Sequence, residues 1–168
     1  MDQSITQLSK VFLSDAGFTS LQAELDNPSN TSKSIYDHYM TSPKWQNYIH
    51  FNHLPHIGIR QSWDPQELSE TLKKAKRYQV TEGARPVKAI GLGSIARIEI
   101  ESIETDEVEY LTVEIVGYQE GNPDLNQVSY DSTLGKQLMG LYEGQVTEAY
   151  FPQGEMVLEV MELYKTKP

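Results

Sequence analysis

The stretch Val128-Ser-Tyr-Asp-Ser-Thr-Leu-Gly-Lys-Gln-Leu-Met-Gly-Leu-Tyr-Glu-Gly144 crowds Asp131, Ser132, Thr133 and Lys136 among three glycines. Three chemistries suit such a run. A phosphate cradle places glycine ahead of a Lys-Ser/Thr pair in a parallel βαβ unit; here Lys136 is followed by Gln137, and the flanking strands read as antiparallel. A nucleophilic Ser132 needs a base, and all four histidines lie in the other half of the chain. The third reading is structural: Asp131 or Ser132 caps a short helix over 133–141 by accepting from its free amides, with Gly140 to Gly144 as the exit turn. That reading explains the residue types without catalysis and leaves Asp131 as an exposed acidic handle for another protein.

Two other groups bear on function. His50, His53 and His56 are spaced by three, but Pro55 disfavours helix at Leu54 and no nearby carboxylate completes a metal-binding H-E-x-x-H pattern. A packed aromatic-polar loop is expected there, with a histidine-bound metal enzyme as the alternative; no metal or cofactor is expected. Lys73, Lys74, Lys76 and Arg77 form the single basic concentration. On a helix they read as a solvated face or as a weak contact with RNA or DNA phosphates.

The elements that position these residues differ between the halves. Residues 1–80 hold 8 acidic and 8 basic side chains and residues 81–168 hold 16 and 6, so the carboxyl half carries the whole net charge of -10. An acidic half repels nucleic-acid phosphates. The chain has no cysteine, hence no disulfide framework, thiolate nucleophile or Cys-ligated metal. It shows neither an apolar run of about 20 residues nor an amino-terminal signal, so a cytoplasmic location is expected.

In the amino half, residues 12–25 and a segment opened by Asp64-Pro65 and running to Arg77 show helical spacing, while Pro28, Pro43 and Pro55 interrupt the region between. In the carboxyl half, Ala96 to Glu101 and Glu109 to Tyr118 alternate apolar and polar residues as a hairpin. Val146 to Phe151 and Glu155 to Tyr164 form a second hairpin around Pro152-Gln153-Gly154, and the alternation slips at Met161 as a bulge would make it slip. The expectation is an α+β chain: a helical amino-terminal domain, residues 1–80, and a domain of four antiparallel strands and one short helix, residues 81–168.

From Val128 to Gln145, and again at Phe151-Pro-Gln-Gly-Glu155, the chain resembles the carboxyl-terminal domain of the bacterial Gre transcript-cleavage and elongation factors. That family carries I/V-S-x-x-S-P-L-G-x-A-L-x-G-x-x-x-G-D followed by a P-x-G-E turn. Ile90 to Ser94 and Val113 to Gly117 are similar to its first two strands; 12–25 and 67–80 are similar to the two arms of its coiled-coil hairpin. The resemblance implies an FKBP-like carboxyl domain and docking on the rim coiled coil of the RNA polymerase secondary channel. It implies contacts through Ser129, Asp131, Ser132, Thr133 and Leu134, with Thr133 in place of the family's proline. The family's tip holds an acidic pair that helps bind a catalytic magnesium ion. Between Asp37 and Trp63 this chain has only Asp37, so a regulator without cleavage activity, and not itself an enzyme, is expected. The alternative is an FKBP-like prolyl isomerase or chaperone module with a cleft lined by Tyr118, Tyr130, Tyr150 and Phe151.

Overall fold

A computed structural model of the chain describes residues 10–27, 64–78, 88–151 and 154–164. The three spaced histidines, the segment between the two helices, the boundary over 79–87 and the Pro152-Gln153 turn lie outside them.

In the amino half, strand β1 (Phe12–Leu13) leads into helix α1 (Asp15–Asp26), and helix α2 (Pro65–Lys74) leads into strand β2 (Lys76–Arg77). The helical spacing that begins at Phe12 is realised only from Asp15, because Ser14 is extended and caps the helix through its side chain, which accepts from the Gly17 amide. The second helix also stops short of Arg77: Ala75 turns extended, which frees Lys76 and Arg77 to pair in parallel with Phe12 and Leu13. Asp64 caps α2, and Pro65 fills the first helical position, where its missing N–H is no loss. Leu13, Leu21 and Leu68 form the buried contact between the helices, flanked by Phe18, Leu25 and Leu72.

The carboxyl half is one sheet of five strands, in the spatial order Gln127–Ser129 (β5), Val108–Val116 (β4), Ile95–Ser102 (β3), Gly154–Tyr164 (β7) and Val146–Phe151 (β6). Strands β3 (Ile95–Ser102), β4 (Val108–Val116), β6 (Val146–Phe151) and β7 (Gly154–Tyr164) are the four alternating segments read from sequence, and their pairings are antiparallel. The register of β7 against β3 slips between Arg97 and Ile98, which face Glu162 and Val160, so Met161 is the extra residue of a bulge.

The sheet is nevertheless mixed, a correction to the wholly antiparallel expectation. A fifth strand, β5 (Gln127–Ser129), lies parallel to β4. At three residues it is too short to display alternation, and it exists because residues 117–126 carry the chain back along the sheet. That crossover uses a 3-10 turn at Pro123–Leu125 and left-handed backbone at Gln119 and Asn126. Ile90 to Ser94, similar to a family strand, is here a strap: Gly93 is left-handed, and Ile90 exchanges backbone hydrogen bonds with Gly140 and Leu141.

Helix α3 (Thr133–Leu138) ends three residues before the expected 141. Gly140 then takes the left-handed conformation that closes helices. Leu134 and Leu138 are fully buried on the inner sheet face against Ile98, Ile100, Val113, Ile115 and Leu158. The five-residue inward set comes from every second position of the central strands, as half-buried strands require.

Candidate functional site

The corner between β5 and α3 is built from its serines. Ser132 is the N-cap of α3: its Oγ accepts from the Gly135 amide at 2.9 Å and donates to the Ser129 carbonyl at 2.7 Å. Of the two caps expected, the structure selects Ser132. With both capacities used and the side chain 5 % exposed, Ser132 is no nucleophile. Gly135 packs directly over the Ser129 carbonyl, so close that a β-carbon there would lie 2.0 Å from that oxygen.

The Ser129 hydroxyl lies 2.7 Å from the Gly117 carbonyl and also against Asp131 Oδ1, and its single proton serves one acceptor at a time. The Gln119 amide donates to Ser129 Oγ at 3.0 Å and, less favourably, to Asp131 Oδ1 at 3.4 Å. Asp131 is thus half-buried and tied to the crossover loop, where the sequence reading had it exposed. Thr133 is also half-buried at the first position of α3, and Lys136 is exposed beyond it. Ser129, Ser132 and Leu134 are buried beneath: they shape the corner, and Asp131 and Thr133 form its face.

The residue between the serines ties the corner to the amino half, a role the sequence did not suggest. Tyr130 is 1 % exposed; its hydroxyl accepts from the Phe12 amide at 2.9 Å and donates to the Lys10 carbonyl. Phe12 stacks edge-on against the Tyr130 ring, and its carbonyl accepts from the Tyr118 amide at 2.7 Å. Beside it, the Glu120 carboxylate accepts from the Ser14 amide and hydroxyl at the start of α1. Gly17 and Gly117 leave the space Glu120 occupies, since a β-carbon on either would collide with its carboxylate. These pairs are more than 100 residues apart, so no spacing rule could have found them.

Burial pushes the Tyr130 hydroxyl above the usual tyrosine range, opposed by the hydrogen bond with Phe12 and reinforced by the Asp131 charge. Tyr78 is raised in the same way, by burial first and then by Glu120. An open cavity of about 500 Å³ lies between the start of α1 and the β4–β5 edge, with Ser14, Asp15, Tyr78, Glu114 and Glu120 among its lining. The Ser14 hydroxyl and Glu120 carboxylate within it are engaged in holding the start of α1, Ser14 Oγ also accepting from the Gly17 amide. Among the described residues no group of three or more His, Cys, Asp or Glu side chains is disposed to hold a metal.

The basic concentration is divided. Lys73 and Lys74 are exposed in the last turn of α2, where positive charge complements the helix dipole. Lys76 and Arg77 fall on β2. Arg77 is engaged, 2.5 Å from Asp15 Oδ1 and 4.4 Å from the centre of the Phe18 ring. The four aromatics of the prolyl-isomerase alternative do not converge either: Tyr130 and Phe151 are closed inside the core, and Tyr150 points out of the opposite sheet face. No helix among the described residues is long and apolar enough to cross a membrane.

Residues 86–165 match the family model described as "Transcription elongation factor, GreA/GreB, C-term". Transcription elongation factor GreA of Nitratiruptor sp. is 36% identical over 99 residues, 58% of this chain and 56% of that protein. GreA of Wolinella succinogenes is 37% identical over 99 residues, 58% of this chain and 57% of its own. The chain therefore spans little more than half the length of these curated relatives. Among solved structures, GreA factor homolog 1 of Thermus thermophilus is 20% identical, covering 92% of this chain and 99% of that one with a TM-score of 0.35. GreA/GreB of Nitrosomonas europaea is 15% identical, covering 92% and 97%, with a TM-score of 0.37. Those scores are too low for the superpositions to bear on fold or function. Residues 86–165 are thus similar to the C-terminal domain of GreA/GreB elongation factors, and GreA proteins share about a third of their residues with 58% of the chain.

Proposed function

We propose that the protein is an RNA polymerase-binding regulator of transcription elongation that docks through the β5–α3 corner. The observation that carries this reading is the corner itself. At the position of the family's S-x-x-S-P-L-G segment, a buried framework of Ser129, Ser132 and Leu134 holds Asp131 and Thr133 at the surface in fixed geometry. The partner inferred by family resemblance is the rim coiled coil of the polymerase secondary channel. The acidic carboxyl half favours a basic partner surface there, and such complementarity acts chiefly on association rate and register. Residues 81–168 form the docking domain in this reading. The region from Asp37 to Trp63, which corresponds to the family's tip, holds Asp37 as its single acid and lacks the pair that magnesium recruitment needs, so in this reading transcript cleavage is not stimulated. The exposed Lys73, Lys74 and Lys76 add at most a weak, salt-sensitive contact with nucleic acid.

The test is affinity capture of RNA polymerase by the tagged full chain, with cleavage of stalled transcripts assayed in parallel. Capture without enhanced cleavage is the expected result. Asp131→Lys weakens capture at least about tenfold, equivalent to about 1.4 kcal/mol, and a thermal midpoint measured alongside separates lost contact from lost fold. Undiminished capture by a folded Asp131→Lys protein removes the corner from the interface; strong cleavage stimulation removes the regulator-only reading.

A further inference from the structure

The inner face of the sheet is filled by the core and α3, whereas the outer face presents aromatic, aliphatic and acidic side chains side by side. Across the strands, Tyr110 of β4 pairs with Glu99 of β3, Glu99 with Glu159 of β7, and Glu159 with Val146 of β6. In the next row outward, Val108 pairs with Glu101, Glu101 with Val157, and Val157 with Glu148. Tyr150 faces Glu155 at the far corner. Tyr110, Val108, Val146 and Tyr150 are all about half exposed or more, at 53%, 47%, 55% and 67%. Large apolar surface and carboxylates therefore alternate over four adjacent strands.

Two features give this face a chemical preference. Glu99 stands directly opposite Glu159, and like charges directly opposite on neighbouring strands destabilise a sheet. An arriving cation would relieve that repulsion. The face also already seats one guanidinium: Arg97 lies 5.5 Å from the centre of the Tyr110 ring and 3.8 Å from Glu162 Oε1. A ring face with a carboxylate beside it is a favourable environment for arginine, which combines planar stacking with charge-assisted hydrogen bonds. Tyr110 beside Glu99 and Tyr150 beside Glu155, each pair directly opposite on neighbouring strands, repeat that pairing of ring and carboxylate.

We propose that the outer face of the β4–β3–β7–β6 sheet is a second docking surface, separate from the β5–α3 corner, and that it takes an arginine-rich segment of a protein partner. The guanidinium groups of that segment lie against Glu99, Glu101 and Glu159 and over the rings of Tyr110 and Tyr150. A second copy of this chain is the poorer occupant, because face-to-face pairing would oppose glutamates to glutamates. Nucleic acid is repelled for the same reason.

The experiment titrates the isotope-labelled full chain with a short peptide of alternating arginine and alanine and maps amide shifts. The expected shifts centre on the outward residues of β3, β4, β6 and β7. The double variant Glu99→Gln/Glu159→Gln weakens binding at least about tenfold, Tyr110→Ala and Tyr150→Ala each weaken it severalfold, and a citrulline version of the peptide fails to bind. These side chains are surface groups, and an unchanged thermal midpoint shows the variants folded. Shifts centred instead on Asp15, Glu114 and Glu120 overturn the proposal, as does equal binding by the folded double variant. Protection of Tyr110 and Tyr150 from hydroxyl-radical labelling in the free chain overturns it in favour of a segment of the chain itself. Concentration-dependent dimerisation that protects the same tyrosines overturns it in favour of a second copy.

Discussion

Gly135 tolerates the least change of any residue in the corner, because the Ser129 carbonyl occupies the place of its missing side chain. Gly135→Ala must push α3 away from β5, and overpacking of this kind costs about 1–3 kcal/mol, readable as a lower urea midpoint. Ser132→Ala removes the cap of the same helix, at a cost of about 1–2 kcal/mol because the Gly135 amide loses its partner in a buried setting. Tyr130 links stability to pH. Its folded pKa is raised, so its contribution is complete below the ordinary tyrosine value of about 10 and is lost as pH rises beyond it, by at most about 1.4 kcal/mol per pH unit. Alkaline denaturation of Tyr130→Phe, with its own partners lost, shows a correspondingly shallower decline. At this scale the capping role of the Asp-Ser-Thr run was legible from residue types alone. The choice of Ser132 over Asp131 was not, because it depends on Asp131 being drawn toward Ser129 and Gln119 by a loop distant in sequence.

Among the elements, the strands of the two hairpins and the Met161 bulge were readable, since period-two alternation and its slip are local patterns. β5 was not: three residues carry no period, and its place is fixed by pairing with β4. Helix ends were overrun at Phe12 and at Arg77 for one shared reason. Phe12 and Leu13 pair with Lys76 and Arg77 across the amino half, and tertiary pairing overrides helical propensity. The start of α1 depends on a carboxylate supplied from the crossover loop. Glu120→Ala is therefore expected to raise amide exchange at Gly17 and neighbouring residues of α1 by at least about tenfold, while exchange in β3 and β7 stays unchanged. Uniform acceleration across the sheet would mean that Glu120 supports the whole fold rather than this one junction.

For the molecule as a whole, the charge asymmetry between halves was visible by counting, whereas the joining of the halves through Tyr130 and Glu120 was not. In the proposed docking, the acidic carboxyl half makes association with polymerase faster in low salt. Raising ionic strength from about 0.05 to 0.5 M should slow the on-rate more than it speeds the off-rate, as stopped-flow or surface-binding kinetics would show. The same Phe12–Tyr130 junction also sets an order of events during synthesis. Phe12 is made 118 residues before the tyrosine that receives its amide. At typical elongation rates of about 5–20 residues per second, the amino segment waits on the order of 6–24 s for its binding surface. Closing so long a loop is entropically unfavourable until the sheet has formed, so the junction of Phe12 with Tyr130 forms after the sheet. A newborn chain therefore passes through an interval in which Phe12 lacks the Tyr130 ring that covers it and is open to chaperones.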